Sequence, residues 1–230
     1  MAGLARRQPA HAQVHRPGWW LWSRNGLSWL LWPVSLLFCA LVRLRRFFYN
    51  RQWLQAEALE RPLVVVGNLS VGGSGKTPLV VEMARLLRHK GYAVGLLCRG
   101  YKSDLEHSGI IIEAGQQHSA AGDEANLLAA VGGCPVAVGA NRYAAGQRLL
   151  AAHPQLDILI SDDGLQHYAL ARDIEILVKR KSAFGNGWCL PAGPMREPLS
   201  RQQDCDLVID RDGPEVHEAP GECWQLANPQ

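Results

Sequence analysis

A glycine-rich segment, residues 67–77 (GNLSVGGSGKT), has the residue types and spacing of a phosphate-binding loop. Glycines let backbone N–H groups curl around phosphate oxygens without Cβ clashes, and the start of a following helix adds partial positive charge. Lys76 would reach the β- and γ-phosphates of a nucleotide, and Thr77 would place its hydroxyl on Mg²⁺. We therefore predict that nucleotide phosphates bind Ser70, Val71, Gly72, Gly73, Ser74, Gly75, Lys76 and Thr77.

Two positions in this loop depart from known nucleotide-binding patterns. Ser70 stands where the pattern G-x-x-x-x-G-K-[ST] has its first glycine, while the rest of the pattern holds. Val71 stands where deviant ATPases that regulate membranes and partition plasmids carry a lysine, and the chain has no NKxD guanine-specificity motif. A nucleotide-dependent membrane switch is therefore the weaker functional alternative, and a glycine-rich turn without chemistry is the structural one.

An acidic pair, Asp162-Asp163, ends an apolar segment that begins at Asp157. A strand of this kind, beside the phosphate-loop strand, delivers a carboxylate to Mg²⁺ at the carboxyl edge of an open α/β sheet. Two adjacent aspartates cannot both point the same way. One would ligate the metal, directly or through water, and the other would hold a loop or a substrate. The structural alternative is an acidic turn before Gly164.

The elements that must position these residues alternate between short apolar strands and helices. Three helices are predicted: one from the phosphate loop to His89, one over 123–131, and one over 141–153 with Asn141 as N-cap. Strands are predicted over residues 63–66, 93–98, 109–113, 135–139, 157–160, 173–178 and 206–209. This alternation predicts an α/β fold with a P-loop NTPase-like, doubly wound and mostly parallel sheet.

The N-terminal part of the chain is physically unlike the rest. Residues 1–51 carry eight arginines and no Asp or Glu, although the net charge of the chain is only +3, and six of the eight tryptophans lie at or before Trp53. Residues 29–42 (WLLWPVSLLFCALV) are apolar except for Ser35, and Pro33 would kink a helix there or mark its first turn. Nucleic acid would explain the charge but not the apolar run, so we predict no nucleic-acid partner.

Three interpretations of this apolar run compete: an anchor on or shallowly inserted in a membrane surface, a single membrane span, and a buried core helix. A cleaved signal peptide fits least, because the run begins late and no A-x-A site lies between it and the following arginines. Those arginines, from Arg43 to Arg51, would lie against anionic headgroups. If the segment spans, they place the main domain in the cytoplasm.

Composition excludes several classes of protein. With 47% hydrophobic and 20% charged residues, a chain of 230 residues is not disordered. The six cysteines are at least 16 residues apart, so neither a CxxC pair nor a zinc-ribbon spacing occurs. A disulfide scaffold is not expected in a chain of this length, and a reducing compartment fits better.

Several motifs together resemble one family closely. Besides the phosphate loop they are Arg99-Gly100-Tyr101, the DDGLQHY run at 162–168 followed by Arg172-Asp173, the GNG run at 185–187, and LPAGPMREP at 190–198. The family is the tetraacyldisaccharide 4′-kinase, the lipid A 4′-kinase of Gram-negative bacteria. The similarity runs from Trp19 to Asp210, which is most of the chain.

The resemblance implies a P-loop kinase at the cytoplasmic face of the bacterial inner membrane, with an N-terminal helix that engages the bilayer. Such a kinase transfers the γ-phosphate of ATP, with Mg²⁺, to the 4′-hydroxyl of a tetraacyldisaccharide 1-phosphate in lipid A biosynthesis. The resemblance assigns the base for that hydroxyl to Asp123, in a Gly-Asp-Glu motif, although read alone Asp123 is a good helix N-cap. It also implies Mg²⁺ ligation by Thr77, by Asp162 or Asp163 and by Glu197, and phosphate or substrate contacts by Arg99 and Arg196.

Two departures from the family pattern carry expectations of their own. The chain ends at Gln230, where family members continue, and the histidine that acts with the aspartate base is expected in that continuation. A truncated fragment that binds ATP without transferring phosphate is therefore a second alternative. The basic run at 179–181 (KRK) is expected to be a solvated loop, or else to meet headgroups or the substrate 1-phosphate.

The predicted organisation has three parts. Residues 1–53 form the membrane-associated segment, residues 54–210 form the P-loop kinase core, and residues 211–230 begin an incomplete C-terminal region.

Overall fold

The computed structural model describes residues 23–72, 75–99 and 109–211, and the backbone of residues 216–218. Four parts of the sequence analysis fall outside these residues. They are the segment before residue 23, the loop residues Gly73 and Ser74, the Gly100-Tyr101 pair, and most of the predicted C-terminal region.

Eight strands in the described part of the chain form one sheet, in the order β3-β4-β2-β5-β1-β6-β7-β8. Their bounds are Leu63–Gly67 (β1), Val94–Cys98 (β2), Ile110–Ile112 (β3), Val136–Val138 (β4), Ile158–Asp162 (β5), Ile174–Lys179 (β6), Leu207–Asp210 (β7) and Val216–Glu218 (β8). Neighbouring strands are parallel except for β3 with β4 and β7 with β8. The predicted α/β class with a mostly parallel sheet is confirmed, and β8 is an edge strand that the sequence pattern did not predict.

Helices cover both faces of the sheet. Their bounds are Gly26–Asn50 (α1), Lys76–His89 (α2), Asp123–Gly132 (α3) and Arg142–Ala152 (α4), with short 3₁₀ helices at Lys181–Ala183 and Leu199–Asp204. Apolar residues of α2 and α3 pack on one face, and those of α4 and α1 pack on the other. Asn141 caps α4 as predicted, because its side chain accepts a hydrogen bond from the Ala144 amide. The fold is therefore doubly wound, with β1 in the middle between β5 and β6.

Helix α1 is longer than the apolar run that predicted it. A capping box between Asn25 and Ser28 begins the helix, which continues through Pro33 and past Arg43, Arg45 and Arg46 to Asn50. Its most apolar 18 residues have a mean hydropathy of 1.8, and only 11% of that window is buried. The interpretation of this run as a buried core helix is therefore wrong. The helix is long and apolar enough to serve as a membrane anchor.

One face of α1 nevertheless lies on the domain along much of its length. The Ser35 hydroxyl donates to the Cys189 carbonyl over 2.7 Å, and the Tyr49 ring stacks on Tyr168 with centroids 6.0 Å apart. The structure also joins Cys39 to Cys189 in a disulfide, with Cα atoms 6.3 Å apart. This disulfide is the only one among the described residues, and it could not be predicted from spacing because 150 residues separate the two cysteines.

Candidate nucleotide and metal site

The phosphate loop leaves the carboxyl end of β1 and enters α2 at Lys76. Gly75 is the N-cap of α2 and has φ 79°, in the left-handed region that glycine enters without strain. At the other end of the loop, a Cβ on Gly67 would lie 2.5 Å from the Cβ of Leu165, so the strand end has room only for glycine. This geometry aims the first amides of α2 at the loop, as phosphate binding requires.

A second segment braces the middle of the phosphate loop. Ser70 forms an antiparallel bridge with Met195, and the Val71 amide donates to the Pro194 carbonyl over 2.8 Å. Ser70 is therefore held in extended backbone and is buried. An extended residue does not need glycine, which explains why serine can occupy the position where the common pattern has its first glycine.

The ammonium group of Lys76 is held by two side chains. It donates to Oδ1 of Asn68 over 3.0 Å and lies 3.3 Å from Oδ1 of Asp163. Nη1 of Arg196 also donates to both carboxylate oxygens of Asp163, Oδ1 at 3.1 Å and Oδ2 at 3.0 Å. Burial opposes ionisation of Asp163, but the charges of Lys76 and Arg196 outweigh it and hold the pKa of this carboxyl below its ordinary value.

Asp162 has a different environment from its neighbour. Its Oδ2 accepts the Thr77 hydroxyl over 2.9 Å, and the same hydroxyl lies 3.3 Å from Oε1 of Glu124. Its Oδ1 is buried and has no hydrogen-bond partner among the described residues. Burial, and then the nearby Glu124 carboxylate, raise the pKa of Asp162 to about 6. The two aspartates thus have different partners, with Asp163 paired to cations and Asp162 beside Thr77.

These groups meet in one cleft of about 840 Å³ at the carboxyl edge of the sheet. Of the predicted site residues, the structure brings Lys76, Thr77, both aspartates, Arg99 and Arg196 to this cleft, together with Val71, Gly72 and Gly75. It adds residues that the sequence analysis did not assign to the site: Glu124, Arg142, Gln166, His167 and Leu190.

The start of α3 corrects the interpretation of the Gly-Asp-Glu motif. Gly122 is the N-cap, with φ 82°, and Asp123 is the first helical residue, so the alternative role of Asp123 as an N-cap is wrong. Asp123 is exposed and is not among the described residues that line the cleft, whereas Glu124 is. The sequence signal for Glu124 was its place beside Asp123, but adjacency alone did not show which carboxylate turns toward Thr77.

Glu197 is not among the described residues that line the cleft beside Thr77. It is 1% exposed, and its oxygens accept the Tyr168 hydroxyl at 2.5 Å and the Gln166 amide at 2.9 Å. Arg201 lies against the same carboxylate, at 3.6 Å. The predicted metal ligation by Glu197 is therefore corrected. Its carboxylate instead fixes Gln166, whose amide also donates to the Asn68 carbonyl over 3.0 Å.

Two further side chains, Arg142 and His167, line the same cleft. Arg142 is buried and donates Nη2 to the backbone carbonyls of Asp162 and Asp163, at 3.2 and 3.3 Å. His167 lines the cleft, and burial together with the charges of Arg142 and Arg172 lowers the pKa of its imidazole to about 4. His167 is therefore neutral at pH 7. No signal in the sequence indicated the role of Arg142. It directly follows the N-cap of α4, and sequence patterns at that position indicate only where a helix starts.

Known proteins resemble the chain along most of its length. The sequence profile of the family described as tetraacyldisaccharide-1-P 4′-kinase matches residues 27–227. A tetraacyldisaccharide 4′-kinase of Herminiimonas arsenicoxydans is 48% identical over 190 residues, which are 81% of this chain and 52% of that protein. One of Acidovorax sp. (strain JS42) is 43% identical over 96% of this chain and 63% of its own length.

A solved structure shares the fold. The crystal structure of LpxK from Aquifex aeolicus in complex with ATP matches with a TM-score of 0.74 and 33% sequence identity, over 87% of this chain and 62% of that one. The chain therefore spans between half and two thirds of the length of these relatives.

Proposed function

The chain belongs to the tetraacyldisaccharide-1-P 4′-kinase family, and on that premise we propose that it carries the ATP site of a kinase that phosphorylates the 4′-hydroxyl of tetraacyldisaccharide 1-phosphate in lipid A biosynthesis. The observation that carries the proposal is the meeting of Lys76, Thr77, Asp162 and Asp163 in one cleft at the carboxyl edge of β1 and β5. The family match and the ATP in the solved relative support ATP as the nucleotide.

Lys76 and the amides at the start of α2 bind the β- and γ-phosphates and stabilise charge on the transferring group. The predicted phosphate contacts from Ser70 to Thr77 belong to this proposal, including Gly73 and Ser74. Asp163 and Asn68 hold the ammonium of Lys76 in place through contacts of 3.3 and 3.0 Å. Arg196 acts by holding Asp163, and Arg99 is the cleft arginine proposed to contact a substrate anion.

The residues around Thr77 fit Mg²⁺. The donor set is a hydroxyl and the carboxylates of Asp162 and Glu124, and Oδ1 of Asp162 is a buried oxygen that lacks a partner in the described chain. Among the described residues no group of three or more His, Cys, Asp or Glu side chains could hold a metal, which suits an ion that keeps waters and phosphate oxygens as ligands. Mg²⁺ held there would neutralise charge on the β- and γ-phosphates.

Asp123 is proposed to accept the proton of the 4′-hydroxyl or to orient that hydroxyl. Successive helical residues point about 100° apart, so Asp123 can face an acceptor while Glu124 faces Thr77. Its exposure at the start of α3 supports this role, because a lipid-borne hydroxyl must reach it from outside the protein. A carboxylate within hydrogen-bond reach of the hydroxyl is the arrangement that general-base catalysis requires.

We propose that α1 holds the chain at the cytoplasmic face of the inner membrane and lies on the bilayer. A spanning helix would need lipid on all sides, but Ser35 and Tyr49 contact the domain from two places along α1. The opposite face offers the bilayer large exposed apolar side chains, such as Leu30 at 75% and Leu37 at 61%. Residues 1–53 are thus proposed as the membrane-associated segment, 54–210 as the kinase core and 211–230 as the start of a further region.

The test is transfer of ³²P from [γ-³²P]ATP to tetraacyldisaccharide 1-phosphate in mixed micelles, with ATP binding measured separately. The 230-residue chain is compared with its Lys76→Ala and Asp123→Asn variants. We expect labelled lipid with the unmodified chain, loss of both binding and transfer with Lys76→Ala, and loss of transfer alone with Asp123→Asn.

Other outcomes identify the alternatives. ATP binding that depends on Lys76, without labelled lipid, would indicate an ATP-binding fragment without kinase activity. This is the second candidate, because the match covers only 52% of a relative's length. ATP hydrolysis without lipid phosphorylation would indicate a nucleotide-dependent membrane switch. Binding that survives Lys76→Ala would contradict the assignment of the phosphate loop.

A further inference from the structure

A loop formed by residues 186–196, here called the bracing loop, lies between α1 and the phosphate loop. On the α1 side, the Cys189 carbonyl accepts the Ser35 hydroxyl over 2.7 Å, and Trp188 meets Trp29 edge-on with ring centroids 4.8 Å apart. Ser35 is 3% exposed on a helix whose outward face is apolar and open. A buried hydroxyl with one long-range partner fixes the docking of α1 at that point.

On its other side the bracing loop holds the phosphate loop. The Val71 amide donates to the Pro194 carbonyl over 2.8 Å, and the Arg196 amide donates to the Leu69 carbonyl over 2.7 Å. Met195, between these two residues, forms the bridge to Ser70 and is fully buried. The backbone of the phosphate loop is thus paired like a strand to one edge of the bracing loop.

The two edges of the bracing loop are bonded to each other. The Met195 amide donates to the Trp188 carbonyl over 3.0 Å, and the Leu190 amide donates to the Met195 carbonyl over 2.8 Å. Inside the loop, the Asn186 side chain donates to the Ala192 carbonyl over 2.7 Å. A displacement of Cys189 therefore reaches Ser70 through a short series of backbone hydrogen bonds.

A second set of contacts leads from α1 to the same loop. Tyr49 stacks on Tyr168, the Tyr168 hydroxyl donates to Glu197, and Gln166 connects Glu197 to the Asn68 carbonyl. Asn68 is also the residue whose side chain holds the Lys76 ammonium at 3.0 Å. Both sets of contacts end at the phosphate loop.

We propose that Ser35 is a positioning residue for the nucleotide site: through the bracing loop, the docking of α1 sets the affinity of the phosphate loop for ATP. The inference rests on the proposed function, because it requires that the loop binds ATP. It goes beyond that function by giving the membrane-associated helix a part in nucleotide binding as well as in anchoring.

The experiment compares Ser35→Ala with Ser28→Ala in the full chain, in detergent and with a thiol reductant present to remove the Cys39–Cys189 link. Ser28 is the matched control, since it is also buried on α1 but its hydrogen bonds are local, to Ser23 and Asn25. The readouts are the Kd of a fluorescent ATP analogue and the Tm. We expect Ser35→Ala to raise the Kd about three- to tenfold, the worth of one hydrogen bond, and Ser35→Thr to restore it. Ser28→Ala lowers the Tm without changing the Kd.

The other outcomes would contradict either this inference or the proposed function, and they distinguish the two. If Ser35→Ala binds like the unmodified chain while Lys76→Ala loses binding, the inference is wrong and the proposed function stands. If Ser28→Ala weakens binding as much as Ser35→Ala, α1 acts only through general stability and the inference is again wrong. If the unmodified chain does not bind the analogue, the proposed function fails first. Should Ser35→Ala fail to fold, Tyr49→Leu tests the second set of contacts, with the same rise in Kd expected.

Discussion

Thr77 and Asp162 share a hydrogen bond of 2.9 Å at the point where α2 begins and β5 ends, with the hydroxyl donating to Oδ2. That one bond is the only side-chain hydrogen bond to the Asp162 carboxylate in the described chain, since Oδ1 is buried and unpartnered. A buried carboxylate with so little support costs folding free energy when it ionises. The fold therefore keeps this carboxylate, the proposed metal ligand, at the expense of stability.

Asp162→Asn is expected to stabilise the protein at pH 7 and above. Because the folded pKa of Asp162, about 6, lies above its ordinary value of 3.8, the folded state binds the extra proton, and stability falls as pH rises from about 4 through 6. Asparagine keeps the Thr77 bond without the charge. A gain on the order of 2 to 3 kcal/mol follows from that shift. Urea unfolding between pH 4 and 8, without Mg²⁺, measures it.

Asp163→Asn is the control for that measurement and has the opposite sign. The folded pKa of Asp163 lies below its ordinary value, so its charge stabilises the protein above that ordinary value, and this contribution is lost as pH falls. The variant should be less stable at pH 7 and approach the unmodified chain in acid. Equal losses at pH 7 from both asparagine variants would contradict the division of roles between the two aspartates.

Glu124→Gln is expected to raise the Mg²⁺ concentration needed for half-maximal ATP binding about tenfold. The variant removes one of the two carboxylates near the Thr77 hydroxyl, and losses of this size are usual when a group around a bound metal is changed. Titration of Mg²⁺ at fixed ATP analogue gives the value. Asp123→Asn, one residue earlier and outside the cleft, should leave it unchanged, and a matching rise in that variant would show that the effect is not specific to Glu124.

Tyr168→Phe is expected to lower the free energy of unfolding by about 1 to 3 kcal/mol, because it leaves the buried Glu197 carboxylate without one of its donors. The ring that stacks on Tyr49 is kept. Tyr143→Phe is the control, because the Tyr143 hydroxyl only accepts an exposed Gln147 amide, and a change within about 0.5 kcal/mol is expected. Denaturant unfolding of both variants is the measurement, and similar values would contradict the importance of the Glu197 contacts.

Gly67→Ala is expected to destabilise the fold by roughly 1 to 3 kcal/mol, because its Cβ would lie 2.5 Å from the Cβ of Leu165 and one of the two segments must move. Gly26→Ala, where a Cβ would meet no atom within 4 Å, is the matched change at the start of α1 and should be neutral or slightly stabilising. Thermal unfolding compares them. A neutral Gly67→Ala would mean that the end of β1 is looser than the structure shows.

Alkylation of unfolded protein counts the free thiols. Without reductant we expect Cys98, Cys134 and Cys205 to react among the described cysteines, because Cys39 and Cys189 are linked, and all five to react after reduction. Cys39→Ser should leave Cys189 reactive under either condition, as peptide mass spectrometry will show. Reaction of both Cys39 and Cys189 in protein prepared without reductant would contradict the link.

The sequence predicted the strands and helices well because their signals are local. The apolar run at 63–66 predicts a buried strand from its own composition, and β1 covers Leu63–Gly67. Asn141 caps the helix that follows it, using its own side chain. Phosphate-loop residues and the acidic pair came together because parallel strands β1 and β5 are neighbours, which the order of elements in a P-loop fold already implies.

The side-chain contacts could not be predicted in the same way, because they depend on tertiary neighbours. Glu197 has a carboxylate, a common metal ligand, but that carboxylate is occupied by contacts with Tyr168 and Arg201. Glu124 and Asp123 are indistinguishable in sequence until the helix start is fixed at Gly122. Only the docking of α1 brings Cys39 to Cys189.

The position of β1 in the sheet determines when it can pair with its neighbouring strands during synthesis. Both neighbours of β1 come from much later in the chain, since β5 and β6 lie at Ile158–Asp162 and Ile174–Lys179. A ribosome adding ~5–20 residues per second therefore releases α1 and β1 several seconds before either neighbour exists. During that interval the apolar face of α1 is already free to meet the bilayer. If α1 lies on the bilayer as proposed, the nascent chain can reach the membrane before it is able to hold a nucleotide.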